Sequence, residues 1–498
     1  MDVLIRRAEP ASRPSGLLAV GVPEGPLTNA SPAARLDRLS RGAVKALFAS
    51  GDFSGRAGET ALLWLPGTRA RRVLLVGLGR ARAIDDRRVL LASAAASRRA
   101  RELSAGTLTL AFPDGVAATP LRIRAVGEGV VLGHHRHTAY LTSGGKPALE
   151  RVELLARRAP TRAQQRALAA GVTRGEAIAL ARDLASTPGQ DLPPATLAER
   201  AVEVAHRVGA SATVHGVAAM ERLGMGCTLA VGRGSPNEPC FIELVKDPAR
   251  RRRGKVPTVV LIGKGVTFDT GGVSLKPREQ MNKMKYDMSG SAAVIGVFAS
   301  LATLELPFRL VGLIPSAENV IGSRALKPGD VIRAMDGTTI EVTNTDAEGR
   351  LLLADALVYA RRFKPAAIID LATLTGAMSI ALGRHAAGLY SADDALAAEV
   401  HAAGERTGER LWRMPLWPEF LHEMRGDTAD LVNSNERREG GSNTAAGFLW
   451  HFAKDQPWVH LDIASTAWTY NDRPDAAKGP NAFGVRLLVD WLERRAAR

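Results

Sequence analysis

Residues 344 to 351 read Asn344-Thr345-Asp346-Ala347-Glu348-Gly349-Arg350-Leu351. Shortly before them, Thr339-Ile340-Glu341-Val342 alternates polar and apolar side chains, which is typical of a β-strand. After them, residues 351 to 363 repeat apolar side chains at helical spacing and contain no glycine or proline. The octet is therefore predicted to connect a strand to a helix.

Three charged side chains of this octet are predicted to converge. In an extended segment, residues two positions apart face the same side, so Asp346, Glu348 and Arg350 would project together, and Gly349 would allow an unusual backbone angle. Taken alone, an Asp-x-Glu sequence is more often a polar loop with an acidic residue at a helix N-terminus. A second stretch upstream favours a functional site instead.

That second stretch follows the apolar run Val259-Val260-Leu261-Ile262, which has the character of a buried strand. Residues 263 to 277 read GKGVTFDTGGVSLKP, and residues 284 to 290 read MKYDMSG. Open α/β sheets place their sites where such strands end. The glycine-rich segment is therefore predicted to lie at a binding site.

The two stretches together supply a set of candidate metal ligands: Lys264, Asp269, Asp287, Asp346 and Glu348. Four carboxylates crowded together repel one another unless cations or protons neutralise them, and two divalent cations would cancel their charge. The donors are mainly hard oxygen atoms without histidine or cysteine, which suits Mn or Mg and is acceptable to Zn. The lysine can join them only if its amine is neutral, as a low-dielectric site beside metals could enforce.

These residues resemble a known family. The stretches GKGVTFDTGGVSLKP, MKYDMSGSAA and NTDAEGRLLLADAL are similar to the signatures of the leucyl aminopeptidase family, a group of cytosolic metallopeptidases. The resemblance covers most of the chain from about Gly175 onward, including Leu223 to Ser235, Asp370 to Gly383 and His460 to Ala467. It implies a small N-terminal α/β domain and a larger C-terminal doubly wound α/β catalytic domain with a mixed sheet.

Carried over by position, the resemblance implies two divalent metal ions per subunit, Mn or Zn, with Mg as a third candidate. The tighter ion would be held by Lys264, Asp269, Asp287 and Glu348. The more exchangeable ion would be held by Asp269, Asp346 and Glu348. A water bridging the ions would become a hydroxide nucleophile, while the ions polarise the scissile carbonyl and hold the free α-amine of a peptide.

The resemblance also implies roles for the neighbouring residues. Lys276 would stabilise the developing oxyanion, and Arg350 would hold a bicarbonate that relays a proton from the water. An apolar pocket would accept the first side chain of the peptide, with Leu and Met preferred and broad specificity expected. Its predicted lining is Met284, Thr373, Leu374, Gly376, Ala464 and Ala467.

The sequence departs from the family pattern at several positions that are not predicted metal ligands. Serine stands where glycine is usual at Ser289 and Ser465, and where aspartate is common at Ser379. Residues 186 to 190 and 479 to 482 also differ from the usual segments. Ser289 and Ser465 are close enough to the predicted site to affect metal preference and substrate range.

A chain of 498 residues is expected to form more than one domain. We predict an N-terminal α/β domain at residues 1–160 with a role in assembly or regulation, a linker helix at 161–185 and a catalytic domain at 186–498. In the last part, strand-like runs alternate with helices, which is typical of a doubly wound sheet. The predicted strands are Ala212 to Val214, Cys227 to Val231, Phe241 to Leu244, Val259 to Ile262, Leu310 to Pro315 and Ala367 to Leu371.

Composition indicates a cytoplasmic globular protein. Hydrophobic residues make up 46% of the chain, and no run reaches the length of a membrane span. The first 16 residues lack the apolar core of a signal peptide. The two cysteines, Cys227 and Cys240, make no disulfide framework, which fits a reducing compartment.

The net charge of +15 raises an alternative function, because a basic surface attracts nucleic acid. Arg250-Arg251-Arg252-Arg253 is the densest basic run, but its position between two predicted strands indicates a solvated turn. An inactive or bifunctional family member that binds DNA remains the alternative to the aminopeptidase. A di-metal phosphoesterase ranks lower, since the histidine ligands and phosphate-clamping residues expected of one are missing. The resemblance further implies a homohexamer that acts on short peptides.

Overall fold

The computed structural model describes residues 1–12, 14–29, 31–65, 69–70, 72–142, 149–249, 256–435, 437, 439–453 and 455–498. Contacts divide the chain into two compact units. The first contains Met1–Ala179 and Tyr470–Lys478, and the second contains Leu180–Thr469 and Gly479–Arg498. The arginine run at 250–253 lies outside the described residues. None of the helices in the described residues is long and apolar enough to cross a membrane.

The first unit is built on a six-stranded sheet, in the order β1-β6-β5-β2-β4-β3, in which only the edge strand β3 is antiparallel. The strands are β1 (Asp2–Arg7), β2 (Leu17–Pro23), β3 (Thr60–Trp64), β4 (Arg72–Gly79), β5 (Thr107–Ala111) and β6 (Arg151–Ala156). The helices are α1 (Pro32–Leu39), α2 (Ala43–Ser50), α3 (Asp86–Glu102), α4 (Pro120–His134) and the start of α5 (Arg162–Ser186).

Both faces of this sheet are covered, which explains why its central strands are apolar throughout. Every residue of β2 from Leu17 to Val22 is buried. Leu18 and Val20 pack with α1 and α2, whereas Leu17 and Ala19 pack with α3 and α4 on the opposite face. Side chains alternate between the faces of a strand, so one continuous apolar run supplies two cores.

The second unit contains the remaining elements. Its helices are α6 (Pro194–Arg207), α7 (Val217–Leu223), α8 (Gly226–Gly232), α9 (Ser289–Ser300), α10 (Gly349–Ala360), α11 (Gly376–Leu382), α12 (Asp394–Thr407), α13 (Pro418–His422), α14 (Gly441–Ala453) and α15 (Val485–Ala496). Its strands are β7 (Ser211–His215), β8 (Cys240–Lys246), β9 (Thr258–Gly263), β10 (Gly265–Asp269), β11 (Arg309–Asn319), β12 (Val331–Arg333), β13 (Thr339–Glu341), β14 (Ala367–Ala372), β15 (Ala387–Tyr390), β16 (Leu411–Arg413), β17 (Leu431–Val432), β18 (Trp458–Asp462), β19 (Trp468–Thr469) and β20 (Gly479–Pro480).

The main sheet of this unit is mixed, in the order β16-β15-β18-β14-β9-β11-β8-β7 with β10 paired to β11. The central strands β18, β14, β9 and β11 are parallel, and antiparallel pairs flank them. Val260 and Ile262 of β9 pack into a core with α8, α10 and α14. Helix α9 covers the other face, where its Phe298 ring lies against Gly312 of β11. The predicted fold class is confirmed.

Two local predictions are wrong. Residues 227 to 231, predicted as a strand, lie in helix α8. The segment after β13 is not extended, because Thr345 and Asp346 form a turn and α10 begins at Gly349. The predicted domain boundaries at 160 and 185 stay predictions; the contacts divide the chain inside helix α5, between Ala179 and Leu180.

Candidate metal centre and active site

Three carboxylates meet where β10 ends and α10 begins. Asp269 is the last residue of β10, and Asp346 and Glu348 lie in the connection between β13 and α10. One carboxylate oxygen of each lies within 4.8 Å of the others. Within the part of the chain that the structure describes, no other three acidic, histidine or cysteine side chains come together in this way. The fold thus brings both motif stretches to one point.

Lys264 and Asp287 complete this cluster on its buried side. Lys264 follows β9, and its Nζ lies 2.8 Å from Asp287 Oδ2 and 2.8 Å from Glu348 Oε1. It also donates a hydrogen bond of 3.0 Å to the carbonyl oxygen of Thr373. All five residues predicted as metal ligands are therefore neighbours.

Lys276 closes the more open side. Its Nζ lies 2.8 Å from Asp269 Oδ2 and contacts the carboxylate of Asp346. The side chains of Lys276 and Asp346 are 22% and 32% exposed, whereas Lys264 and Glu348 are buried. Solvent therefore reaches the cluster from the side of Lys276 and Asp346.

The crowding of charged side chains in the cluster shifts their pKa values. Burial, reinforced by the neighbouring carboxylates, raises the pKa of Asp287 to about 8 and that of Asp346 to about 7. Burial alone would lower the pKa of Lys264 and Lys276, but the surrounding carboxylates raise both pKa values above the ordinary range of lysine. The protonation state of each group in the cluster thus depends on the charges of its neighbours.

The residues present fit divalent metal ions. Asp287 Oδ2, Asp346 Oδ1 and Glu348 Oε1 are buried, and each contacts a lysine ammonium group without a hydrogen bond of ordinary geometry. The two ammonium groups beside them neutralise only half of the charge of four carboxylates. Oxygen donors with unmet negative charge are the environment that Mn and Mg prefer and that Zn accepts.

Two further residues orient the carboxylates, and sequence reasoning did not assign them this role. Asn319, the last residue of β11, donates hydrogen bonds to Asp269 Oδ1 at 2.8 Å and to the carbonyl oxygen of Thr345 at 3.0 Å. Thr373 Oγ1 donates to Asp287 Oδ1 at 2.7 Å. Such partners fix the direction of a ligand before a metal binds. No strand-end signal marked Asn319 in the sequence, because the predicted strand stopped at Pro315.

Asn433 holds the strand-to-helix connection itself. Its Nδ2 donates to the carbonyl oxygens of Asn344 and Ala347 at 2.7 and 3.3 Å, and its Oδ1 accepts from the backbone N–H of Thr343 at 2.9 Å. Its own carbonyl oxygen accepts a hydrogen bond of 2.7 Å from Arg350 Nη1. A lone asparagine in a loop gave no signal in the sequence.

Arg350 is the second residue of α10 and is almost fully buried. Its Nε has no hydrogen-bond partner in the described structure, and burial lowers its pKa to about 10, so it remains a cation at neutral pH. The side chain therefore offers an open N–H donor and a positive charge beside the cluster.

The unusual backbone angle predicted for Gly349 is not found, because its φ is not positive.

The six residues predicted to line a substrate pocket come from three segments. Met284 lies in the short 3₁₀ helix before Asp287, and its carbonyl oxygen accepts from the Asp287 N–H at 3.2 Å. The others follow two neighbouring parallel strands: Thr373, Leu374 and Gly376 follow β14, and Ala464 and Ala467 follow β18. The N–H groups of Leu374 and Ala464 donate to the same carboxylate, that of Asp462.

Comparison with known families matches both parts of the chain. Residues 179–489 match the model of the cytosol aminopeptidase family, catalytic domain, and residues 19–144 match the N-terminal domain of the same family. The chain belongs to the cytosol aminopeptidase family. This confirms the resemblance seen in the sequence.

Relatives of this family match over the full length. The chain is 44% identical to the probable cytosol aminopeptidase of Roseiflexus castenholzii, covering 99% of this chain and 100% of that protein. It is 42% identical to the corresponding protein of Geobacter sulfurreducens, with 99% of each covered.

Solved structures of similar proteins support the same family assignment. The bottromycin maturation enzyme BotP in complex with Mn has a TM-score of 0.85 and 38% identity, covering 97% of this chain and 100% of that one. A mutant of tomato leucine aminopeptidase has a TM-score of 0.88 and 32% identity, covering 99% and 96%. As a member of the cytosol aminopeptidase family with this acidic cluster, the protein is a metal-dependent aminopeptidase.

Proposed function

We propose that the protein removes N-terminal amino acids with apolar side chains, Leu and Met above others, from short peptides. The observation that carries this proposal is the convergence of Asp269, Asp346 and Glu348 within 4.8 Å, joined by Asp287 and Lys264. Two divalent ions, Mn or Zn, with Mg as a third candidate, would occupy the cluster. When bound, they would supply the Lewis acidity that activates a water molecule and polarises the peptide carbonyl.

We assign the tighter ion to Lys264, Asp269, Asp287 and Glu348, with the Lys264 amine giving up its proton when the ion binds, and the more exchangeable ion to Asp269, Asp346 and Glu348. Burial supports this division. The side chains of Lys264 and Asp287, which belong only to the first ion, are 3% and 7% exposed, whereas the side chain of Asp346 is 32% exposed. An ion near Asp346 would therefore exchange with solvent more readily.

Lys276 and Arg350 are the proposed catalytic side chains. Lys276 carries its charge at the open side of the cluster, where a peptide carbonyl would enter, and would stabilise negative charge that develops on that oxygen. Arg350 is buried with a free Nε–H, which suits it to hold a small anion such as bicarbonate beside the reacting water. That anion would accept the proton from the water.

The pocket residues Thr373, Leu374, Gly376, Ala464, Ala467 and Met284 would contact the first side chain. Their small or apolar character favours unbranched and branched aliphatic groups, with discrimination of about 1 to 3 kcal/mol per methylene. Recognition of a free α-amine by the metal ions would restrict cleavage to the first peptide bond. We further propose a cytoplasmic homohexamer, in keeping with the family resemblance and the two free cysteines.

Hydrolysis of leucine p-nitroanilide tests this function. The purified protein should lose turnover after chelation and regain it with Mn or Zn, and Glu348→Ala should remain inactive with either metal. Glu153→Ala changes a buried glutamate of the first unit and should keep its activity. Absence of turnover with any metal, from a folded protein, would overturn the proposal.

A further inference from the structure

A buried carboxylate outside the metal cluster joins both walls of the proposed substrate pocket. Asp462 is the last residue of β18 and is 0% exposed. Its Oδ1 accepts hydrogen bonds from the N–H groups of Leu374 at 3.2 Å and Ala464 at 3.1 Å. Its Oδ2 accepts from Thr375 Oγ1 at 2.6 Å. One side chain thus binds the loop after β14 and the loop after β18.

The hydrogen bonds of Asp462 connect the two chain segments just beyond the last paired residues of β14 and β18. Ala372 and Asp462 are the last residues paired between β14 and β18, and the Ile463 N–H still donates to the Ala372 carbonyl oxygen at 2.8 Å. Beyond that point the strands no longer pair, and the pocket residues Leu374 and Ala464 lie on separate loops. The Asp462 carboxylate is the group that binds both of them.

We propose that Asp462 is a positioning residue that sets the width of the pocket and therefore the side-chain selectivity of the enzyme. This inference rests on the proposed function of the pocket and deepens it. A carboxylate buried without donors is costly, so its three close partners must stay in place together. Because these partners belong to the two walls, the carboxylate couples their positions.

The hydrogen-bond directions argue against a direct chemical role. Thr375 Oγ1 accepts from the Met378 N–H at 3.2 Å and therefore donates its proton to Asp462. Every partner of Asp462 is a donor from the protein, and the side chain is 0% exposed, so a substrate has no access to its oxygen atoms. Its effect on a substrate must act through the loops.

The same loop is tied separately to the metal cluster. Thr373 Oγ1 donates to Asp287, and the Thr373 carbonyl oxygen accepts from Lys264. One end of the loop is thus held by the predicted metal ligands and the next two residues by Asp462. Loosening the second attachment should change the pocket while leaving metal binding intact, which separates selectivity from metal affinity as measurable quantities.

The test compares the binding of leucine hydroxamate and alanine hydroxamate to the full-length Mn-loaded protein by calorimetry. Both probes carry a free amine and differ only in the side chain. Thr375→Val removes the hydroxyl that Asp462 accepts from, and Asp462→Asn turns one acceptor into a donor. Each should reduce the leucine-to-alanine affinity ratio about tenfold, while Mn affinity stays within about twofold. Thr375→Ser, which restores the hydroxyl, should restore the ratio.

Thr228→Val is the matched control. Thr228 Oγ1 donates at 3.0 Å to another buried carboxylate, Asp355, which accepts no bond from the pocket loops. This variant should leave the affinity ratio unchanged. An unchanged ratio in Thr375→Val and Asp462→Asn, an equal change in Thr228→Val, or a parallel loss of Mn affinity would overturn the inference. Hydrolysis by the wild-type protein tests the proposed function independently, because the affinity ratio needs no turnover.

Discussion

At Gly349 the absence of a side chain leaves space for Lys264 beside the carboxylate cluster. A Cβ at this position would lie 2.7 Å from Lys264 Nζ and 2.7 Å from Lys264 Cε, closer than non-bonded atoms can approach. The glycine makes room for the aliphatic chain of the lysine. The sequence pattern predicted an unusual backbone angle at Gly349, which is wrong, because only the folded chain shows that Lys264 passes over this residue.

Gly349→Ala should therefore weaken metal binding. The new methyl group must push Lys264 away from Asp287 and Glu348, so we expect Mn affinity, measured by calorimetry, to fall at least about tenfold, or about 1.4 kcal/mol. Gly216→Ala is the control, since a Cβ there would meet nothing within 4 Å and its φ is negative. Equal Mn affinities in both variants and the wild type would show that Lys264 does not contribute to the site.

At the scale of elements, helix α8 shows that a contact between residues distant in the sequence can override a local sequence pattern. A short apolar run such as residues 227 to 231 suits a strand or a buried helix equally well. Asp355 of α10 decides between them, because its Oδ2 accepts from the Thr228 N–H at 2.8 Å in the first turn of α8. That carboxylate satisfies an N–H group that the helix itself leaves unpaired.

The pH dependence of stability should reveal this capping carboxylate. Burial raises the pKa of Asp355 to about 7, although the N–H groups of Thr228 and Met335 act in the opposite direction. Above its unfolded pKa the folded state retains the proton more strongly, so this contribution is greatest in acid and is lost as the pH rises toward 7. The stability of the wild type relative to Asp355→Asn should fall by roughly 3 kcal/mol between about pH 5 and about pH 8.

Thermal or urea unfolding of both proteins at the two pH values measures that difference, and subtraction removes the titration of all other groups. A constant difference would mean that Asp355 titrates normally in the folded protein.

Strand β11 shows that a proline need not end a strand. The predicted strand ended at Pro315, but β11 runs to Asn319. Pro315 is tolerated because the pairing with β9 ends at Leu313 and the pairing with β10 starts at Ser316. The extra residues place Asn319 within hydrogen-bonding distance of Asp269, which explains why the sequence did not reveal this contact.

Helices α4 and α5 of the first unit are joined by a buried ion pair. Arg174 Nε donates to Glu128 Oε2 at 2.5 Å, and both residues are buried. Glu128→Ala would leave a guanidinium buried without its partner, so we expect the free energy of unfolding of this unit to fall by about 3 to 5 kcal/mol. Denaturation followed by circular dichroism measures the loss.

Glu203→Ala is the matched control for that variant. It breaks the exposed pair with Arg200, whose side chains are 60% and 54% exposed, and should change stability little. Similar effects of the two substitutions would contradict a special role for the buried pair.

At the scale of the whole molecule, the two units are not two uninterrupted stretches of sequence. Tyr470–Lys478 lies far along the chain yet belongs to the first unit, where Arg98 Nη2 contacts Asp472 at 2.8 Å. No pattern in the sequence marks this segment. In the second unit, the sheet gathers residues from positions 264 to 348 into one charged cluster, whose repulsion is a cost to folding unless cations are bound.

Metal ions should therefore stabilise the whole protein. At about 100 times the dissociation constant, Mn should add about 2.7 kcal/mol to the free energy of unfolding, visible as a higher melting temperature that chelation reverses. Glu348→Gln should lose most of that shift, because it removes one charge from the centre of the cluster. A shift of full size in this variant would place the bound Mn elsewhere.

The sequence by itself determined the fold class, the family and which charged residues lie together in the cluster. The alternation of apolar runs, the oxygen-rich donor set and the three motif stretches are properties of neighbouring residues. Only the tertiary structure decided that α8 is a helix, that Gly349 makes room for Lys264, and that Asn319, Asn433 and Asp462 hold the loops of the site. Each of these depends on hydrogen bonds or close contacts between residues about 50 to 130 positions apart, whose energies local patterns do not encode.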